Sequence, residues 1–454
     1  MRLLSIVFVS FFALQASAET DLDSRISAKA EAALRESGAP SVSLAVVHEG
    51  KIWAKAFGKA NLAENRAADV STRYAVGSIS KQFTAAAVLL LAEQGKLSLD
   101  DKVDKYFPDM TRAGEVDIRQ LLSHTSGYED YAPQDYLIPA WTKPTTPTAV
   151  VDHWAKLPLN FDPGTKWQYS NTNYVLAGMI VEKVSGQKLL SLLQQKIFSP
   201  LGMTSAGSCD DKSPSDAGAY TRYALGPARP TEREAPGWYF GAGELCMTAQ
   251  DLAKWDTAFL NRQILSARSY EEFTREVLLA NGDHTNYALG LGRGQFHGIP
   301  VLRHDGEVMG FLASNAIYPN RQAAVIGLSN EVGVNMLLPL TEEVASILLL
   351  PKPPQGAVEE LASVRKILEG LQQGHIDPAL FTADANFYFA TALADYQASL
   401  APLGKLKTLK RTSESLRGGM THRGYRATFE NKAVDLNVYL LPDGKYEQLL
   451  VEGE

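Results

Sequence analysis

The chain has 454 residues, 45% hydrophobic and 21% charged, a composition that excludes a collagen-like, largely disordered or polytopic membrane protein. With 44 Lys and Arg against 51 Asp and Glu the net charge is −7, so there is no basic field to hold a polyanion and nucleic acid is excluded as a partner. Two cysteines cannot staple a fold of this length, which must hold itself together by burial.

The first residues read as an address. Met1-Arg2 gives one positive charge, Leu3 to Leu14 is apolar apart from Ser5 and Ser10, and Ala16-Ser17-Ala18 offers small residues for cleavage. About a dozen apolar residues fall short of a bilayer span. The pattern predicts a cleaved signal over residues 1–18, a mature chain from Glu19 with no stable membrane span, and a periplasmic or secreted location. An oxidising compartment permits a Cys209–Cys246 disulfide, while two unpaired cysteines fit the sequence equally well.

Ser41–Val47 and Lys51–Phe57 are β-rich runs around His48-Glu49-Gly50 and predict a hairpin. Gln82–Gln94 is an apolar-rich helical pattern ending at Gly95, and Asn173–Val184 a second one stopping at Ser185-Gly186. Three late runs, Pro300–Arg303, Phe311–Ile317 and Ala323–Leu328, read as strands. A sheet built from both ends of a domain, with helices inserted between, is an α+β architecture. Pro351 to Gly356 reads as a linker, closing a main domain of residues 19–350. Beyond it, helices over Val358–Gln373 and Ala383–Leu400 precede antiparallel strands at Thr421–Phe429, Ala433–Leu441 and Tyr446–Val451, with Pro442-Asp443-Gly444 as the last turn. Lys405, Lys407, Lys410 and Arg411 read as a solvated strand face.

Gly77-Ser78-Ile79-Ser80-Lys81 opens the first long helix. Ser78 and Lys81, three apart, lie on one helical face. A lysine of lowered pKa activates a hydroxyl, and the helix N-terminus favours charge developing on a substrate oxygen. The S-x-x-K pattern recurs at Ser185–Lys188 and Ser363–Lys366, but only Ser78 follows a strand-like run into a long apolar helix. Tyr169-Ser170-Asn171 precedes the second helix: Tyr can pass a proton, and Asn can hold a substrate amide or orient the lysine. Tyr318-Pro319-Asn320 also fits Y-x-N, but its proline and turn context make it structural. His304-Asp305-Gly306 lies among the late strands, one of three H-x-G triplets beside those at His48 and His422.

Taken in order, Ser78–Lys81, Tyr169–Asn171 and His304–Gly306 resemble the three motifs of the serine β-lactamase and penicillin-binding protein superfamily. The branch is that of class C β-lactamases, D-stereospecific peptidases and related carboxylesterases. Leu121 to Gly127, Pro200-Leu201-Gly202-Met203 and Gly241 to Leu245 agree with it. The resemblance covers about residues 21–350 and implies a β-lactamase/transpeptidase-like antiparallel sheet with a helical insertion. It implies that Ser78 is acylated, that Lys81 is its base, that Tyr169 relays protons, and that Asn171 and His304 meet the substrate. The oxyanion would be held by the backbone N–H groups of Ser78 and of Glu307, which follows Gly306. Trp238-Tyr239-Phe240 would form an aromatic wall, and the His124-Thr125-Ser126-Gly127 segment a structural turn. His304 stands where many β-lactamases carry the lysine of K-T-G; a neutral histidine attracts a substrate carboxylate less, which favours peptidase or esterase action over β-lactam hydrolysis. The expected substrate is a small molecule or peptide, an amide or an ester, and no cofactor is needed.

Rival classes fit less well. No two of the eight histidines are four apart, and neither H-E-x-x-H nor C-x-x-C occurs, which argues against a metalloenzyme. No G-x-S-x-G elbow is present for a Ser-His-Asp hydrolase. A sensor that binds or acylates with little turnover is the alternative. The final hundred residues carry no chemical motif; two helices followed by antiparallel strands resemble a nuclear-transport-factor-2-like cone.

Overall fold

A computed structural model describes the backbone of residues 4–351 and 355–452, and the side chains of residues 20–351 and 358–452. The chain divides into two compact units, residues 1–350 and 351–454.

In the first unit, helix α1 (Leu4–Ser37) leads into β1 (Ser41–His48) and β2 (Lys51–Asn61), joined by Glu49-Gly50, both at positive φ. The expected export signal lies in the stretch for which at most the backbone is described, and Met1 to Leu3 lie outside the described residues. Among the described residues no helix is long and apolar enough to cross a membrane. The short strand β3 (Arg66–Ala67) and four late strands complete the sheet: β4 (Gly292–Phe296), β5 (Ile299–Val308), β6 (Phe311–Tyr318) and β7 (Ala323–Ser329). Their spatial order is β3-β2-β1-β7-β6-β5-β4, antiparallel throughout, so the N-terminal hairpin pairs directly with the last strand of the unit. The late strands extend past their sequence limits because their ends continue the ladder.

β1 is buried along almost its whole length, and its alternate residues serve two cores. Val42, Leu44 and Val46 meet Ile26 and Ala30 of α1 and Leu337 and Val344 of α5 (Leu337–Leu349) on one face. Ala45 and Val47 belong to the larger core on the other face. That core holds α2 (Ser80–Glu93), α3 (Asn171–Ser185) and α4 (Ala249–Leu260). α2 is buried on nearly all sides, which explains its apolar run; Gly186, at φ +71°, caps α3. Cys209 and Cys246 form a disulfide and both are buried.

The second unit contains α6 (Gln355–Gln372), α7 (Ala383–Leu400) and an antiparallel sheet in the order β8 (Leu406–Arg417), β9 (Met420–Phe429), β10 (Ala433–Leu440) and β11 (Tyr446–Glu452). Val364, Leu368, Phe389, Tyr425 and Val438 centre its own core. Gln355 to Ala357 are helical, which shortens the linker expected over Pro351 to Gly356 and starts the helix before the expected Val358; prolines are tolerated just ahead of a helix and do not delay it further. Lys352 to Pro354 of that linker lie outside the described residues. The basic residues Lys407, Lys410 and Arg411 are exposed along β8.

Candidate active site

Three elements converge at one end of the sheet. β5 pairs with β4 only through Ile299–Arg303, so beyond Arg303 its outer edge has no strand partner. The turn Gly77–Ile79 that leads into α2 lies along that edge. The fit requires two glycines: a Cβ on Gly306 would lie 2.0 Å from the Val76 carbonyl oxygen, and one on Gly77, at φ +50°, would lie 2.8 Å from the Glu307 backbone nitrogen. The backbone N–H groups of Ser78 and Glu307 are thereby brought to one place.

Ser78 is half-buried in that turn, and one helical turn later Lys81 is fully buried. The Lys81 Nζ donates to Ser78 Oγ at 3.0 Å, to Asn171 Oδ1 at 2.7 Å and to the Ala242 carbonyl at 2.8 Å. Burial pushes the Lys81 pKa down to about 7, with the negative charge of Asp130 opposing the shift. Asn171 is the first residue of α3, and its side chain is spent: the carbonyl oxygen accepts from Lys81, and its Nδ2 donates to the Asp130 carboxylate at 3.1 Å. Of the two roles open to Asn171, the geometry fits orienting the lysine.

Tyr169 stands between them, its ring centroid 4.8 Å from Lys81 Nζ. Burial pushes its hydroxyl well up, and its interaction with Ser78 pulls the other way. Its backbone is held from behind by His124: the N–H of Ser170 donates to His124 Nδ1 at 3.2 Å, and that of Gln168 to the His124 carbonyl at 3.0 Å. The His124 ring also lies tilted against the Tyr169 ring at 4.3 Å. Burial and the nearby Lys81 and His304 keep His124 far below the usual histidine range, hence neutral. His124 sits at φ +61°, the left-handed turn of its H-T-S-G segment.

His304 is buried on β5 and both its nitrogens are engaged. Nδ1 lies 2.6 Å from the Asp305 carbonyl, which can only accept, so Nδ1 carries the proton; Nε2 then accepts from the Tyr287 hydroxyl at 2.8 Å. Burial, with Lys81 adding to it, lowers the His304 pKa to about 4. The residue lines the cleft as a neutral ring with no donor free for a substrate carboxylate. Gly306 and Glu307 line it too.

Ser78, Tyr169, Asn171 and His304 thus face a single open cleft of about 1980 Å3. The expected aromatic wall is one residue wide. Trp238 packs among Tyr131, Trp141 and Trp154, Phe240 leans on Gly178, and only Tyr239 lines a pocket with Ser78. Its tryptophan is too large and apolar to leave the core. Asp130 and Tyr287 escaped the sequence reading; both come from irregular loops with no periodic signal. Asp130 accepts the Asn171 backbone N–H at 2.9 Å, acting as a remote cap for α3.

A sequence profile of the β-lactamase family matches residues 26–346. The chain belongs to the β-lactamase family. Among its curated relatives, the penicillin-binding protein 4* of Bacillus subtilis is 30% identical over 303 residues, covering 62% of this chain and 65% of its own length. A solved D-stereospecific amidohydrolase from Streptomyces superposes with a TM-score of 0.63 at 26% identity over 73% of this chain and 99% of its own. The octameric penicillin-binding protein homologue of Pyrococcus abyssi shares the fold over 96% of this chain and 98% of its own, with a TM-score of 0.63 and 22% identity. The expected α+β architecture is thereby that of this β-lactamase-family protein.

Proposed function

We propose that this β-lactamase-family protein is an exported serine acyl hydrolase that cleaves amides and esters through a Ser78 acyl-enzyme, with D-amino-acid amides or peptides and small esters preferred to β-lactams. The observation that carries the reading is Lys81: a buried amine whose pKa falls to about 7, 3.0 Å from the Ser78 hydroxyl. As Ser78 Oγ bonds to the substrate carbonyl carbon, its proton passes to Lys81 Nζ. The backbone N–H groups of Ser78 and Glu307 receive the oxyanion. The bond to the leaving group then breaks as Tyr169 supplies it a proton, which Lys81 restores. Water enters by the reverse route: its oxygen bonds to the acyl carbon, its proton leaves through Tyr169 and Lys81, and Ser78 regains its own. The neutral, fully bonded His304 supports the preference against carboxylate-bearing β-lactams, and the D-stereospecific relative supports the D-amide class.

The test is a substrate panel of nitrocefin, D-alanyl peptides, a D-amino-acid p-nitroanilide and p-nitrophenyl acetate, with intact-mass detection of the acyl adduct. Turnover and an adduct on the wild type, both absent in Ser78→Ala, are expected. Equal rates in the two proteins overturn the reading. Export to the periplasm or beyond is part of the proposal, supported by the small-residue cleavage pattern and by the disulfide. N-terminal sequencing of protein from the periplasmic fraction should begin at Glu19.

A further inference from the structure

A second, much smaller pocket opens beside Ser78, of about 60 Å3, and its walls include Asn171, Tyr239, Trp141 and three carboxylates, Asp135, Glu234 and Glu307. None of the residues lining it is Lys, Arg or His. Glu234 is only 9% exposed. One of its oxygens is pinned, accepting from the Tyr239 hydroxyl at 2.6 Å and from the Met309 backbone N–H at 2.9 Å. The other, Oε2, is buried without a hydrogen-bond partner among the described residues. Leaving a buried carboxylate oxygen unpaired is costly, and a pocket with an unspent carboxylate oxygen and only acidic charge suits a polar cation. Glu307 is exposed to the cleft, yet enough protein and the charges of Asp135 and Glu234 surround it to push its carboxyl up to about 7; a cation would relieve that crowding.

We propose that Asp135, Glu234 and Glu307 form a subsite for the α-ammonium group of the substrate's acyl part, so that the enzyme selects free-amine amides, esters and peptide N-termini. The inference rests on the acyl-enzyme reading above. Size fixes which amine: the pocket has room for roughly two water volumes, enough for an ammonium one or two bonds from the carbonyl at Ser78 and too little for a long aminoalkyl chain. Glu307 links the two ends, since its backbone N–H faces the carbonyl oxygen while its carboxylate faces the amine.

Three p-nitroanilides test this near neutral pH: D-phenylalanyl, with the α-amine; 3-phenylpropanoyl, the same acyl group without it; and 6-aminohexanoyl, with a distal amine. The wild type should show kcat/KM about 10–100-fold higher for the α-amine than for the desamino compound, with the distal amine no better than the latter. Glu234→Gln, which keeps the shape and removes the charge, should collapse that ratio several-fold, chiefly through KM for the α-amino compound. Equal wild-type rates for all three, a distal amine as good as the α-amine, or an unchanged ratio in Glu234→Gln overturns the subsite. If Glu234→Gln does not fold, the wild-type comparison decides alone. Acylation of Ser78 by p-nitrophenyl acetate alongside equal anilide rates would remove the subsite and leave the hydrolase, whereas no acylation by any substrate removes both.

Discussion

Lys81 has three acceptors for its three N–H bonds, and the identity of those acceptors decides how it can act. The Asn171 and Ala242 oxygens can only accept, so when Lys81 loses a proton its two remaining N–H bonds stay with them, and the lone pair points to the one partner able to donate, the Ser78 hydroxyl. The proposed acylation therefore requires neutral Lys81. For p-nitrophenyl acetate, which carries no amine, we expect kcat/KM to fall as pH drops through neutrality and to show no loss on the alkaline side until well above the usual tyrosine range, since burial raises Tyr169; a flat profile between mildly acidic and mildly alkaline pH would contradict the base assignment. Asp130 opposes the depression of the Lys81 pKa. Asp130→Asn should move the acidic limb to lower pH and, by breaking its bonds to Asn171, cost about 1–3 kcal/mol of stability, read from a pH–rate profile and a denaturation curve.

At the scale of elements, the site is made by a turn docked on half a strand. Gly306→Ala would drive a methyl into the Val76 carbonyl, so β5 and the Ser78 turn must separate and the two oxyanion donors with them. The expected loss in kcat is about 100- to 1000-fold, with far-UV circular dichroism unchanged; near-normal turnover would show that the donors are not paired. How much of this the sequence disclosed follows from how local each signal is. Ser78–Lys81 and Tyr169–Asn171 sit at helix starts, where periodicity, a preceding strand and a capping glycine such as Gly186 all agree, so the helices and the site's centre could be read directly. Asp130, Tyr287 and Glu234 reach the site from loops, where no period exists and only tertiary folding sets who meets whom. β8 was legible only as a basic solvated face, because its outer half is exposed on both sides and carries no alternation of apolar residues. The paired state of the cysteines, left open by the sequence, depends on Gly207 lying opposite Cys246 in a small sheet, a contact between segments 37 residues apart.

For the whole molecule, two units each own a core, and residues 1–350 should fold alone with Ser78 still acylated. An unfolded fragment would show instead that the second unit belongs to the fold of the first. Reduction of the disulfide should lower the melting temperature by removing about 2–4 kcal/mol, while leaving the acylation stoichiometry intact; an unchanged Tm under reductant would contradict this. The acidic pocket beside the nucleophile has one last consequence, for encounter rather than for binding. In a chain of net charge −7, carboxylates clustered at a reaction centre draw cations in and turn anions away over about a Debye length, 10 Å at 0.1 M salt. Added salt should therefore slow the capture of a cationic substrate and quicken that of an anionic one, so that ionic strength alone shifts which molecules this protein meets.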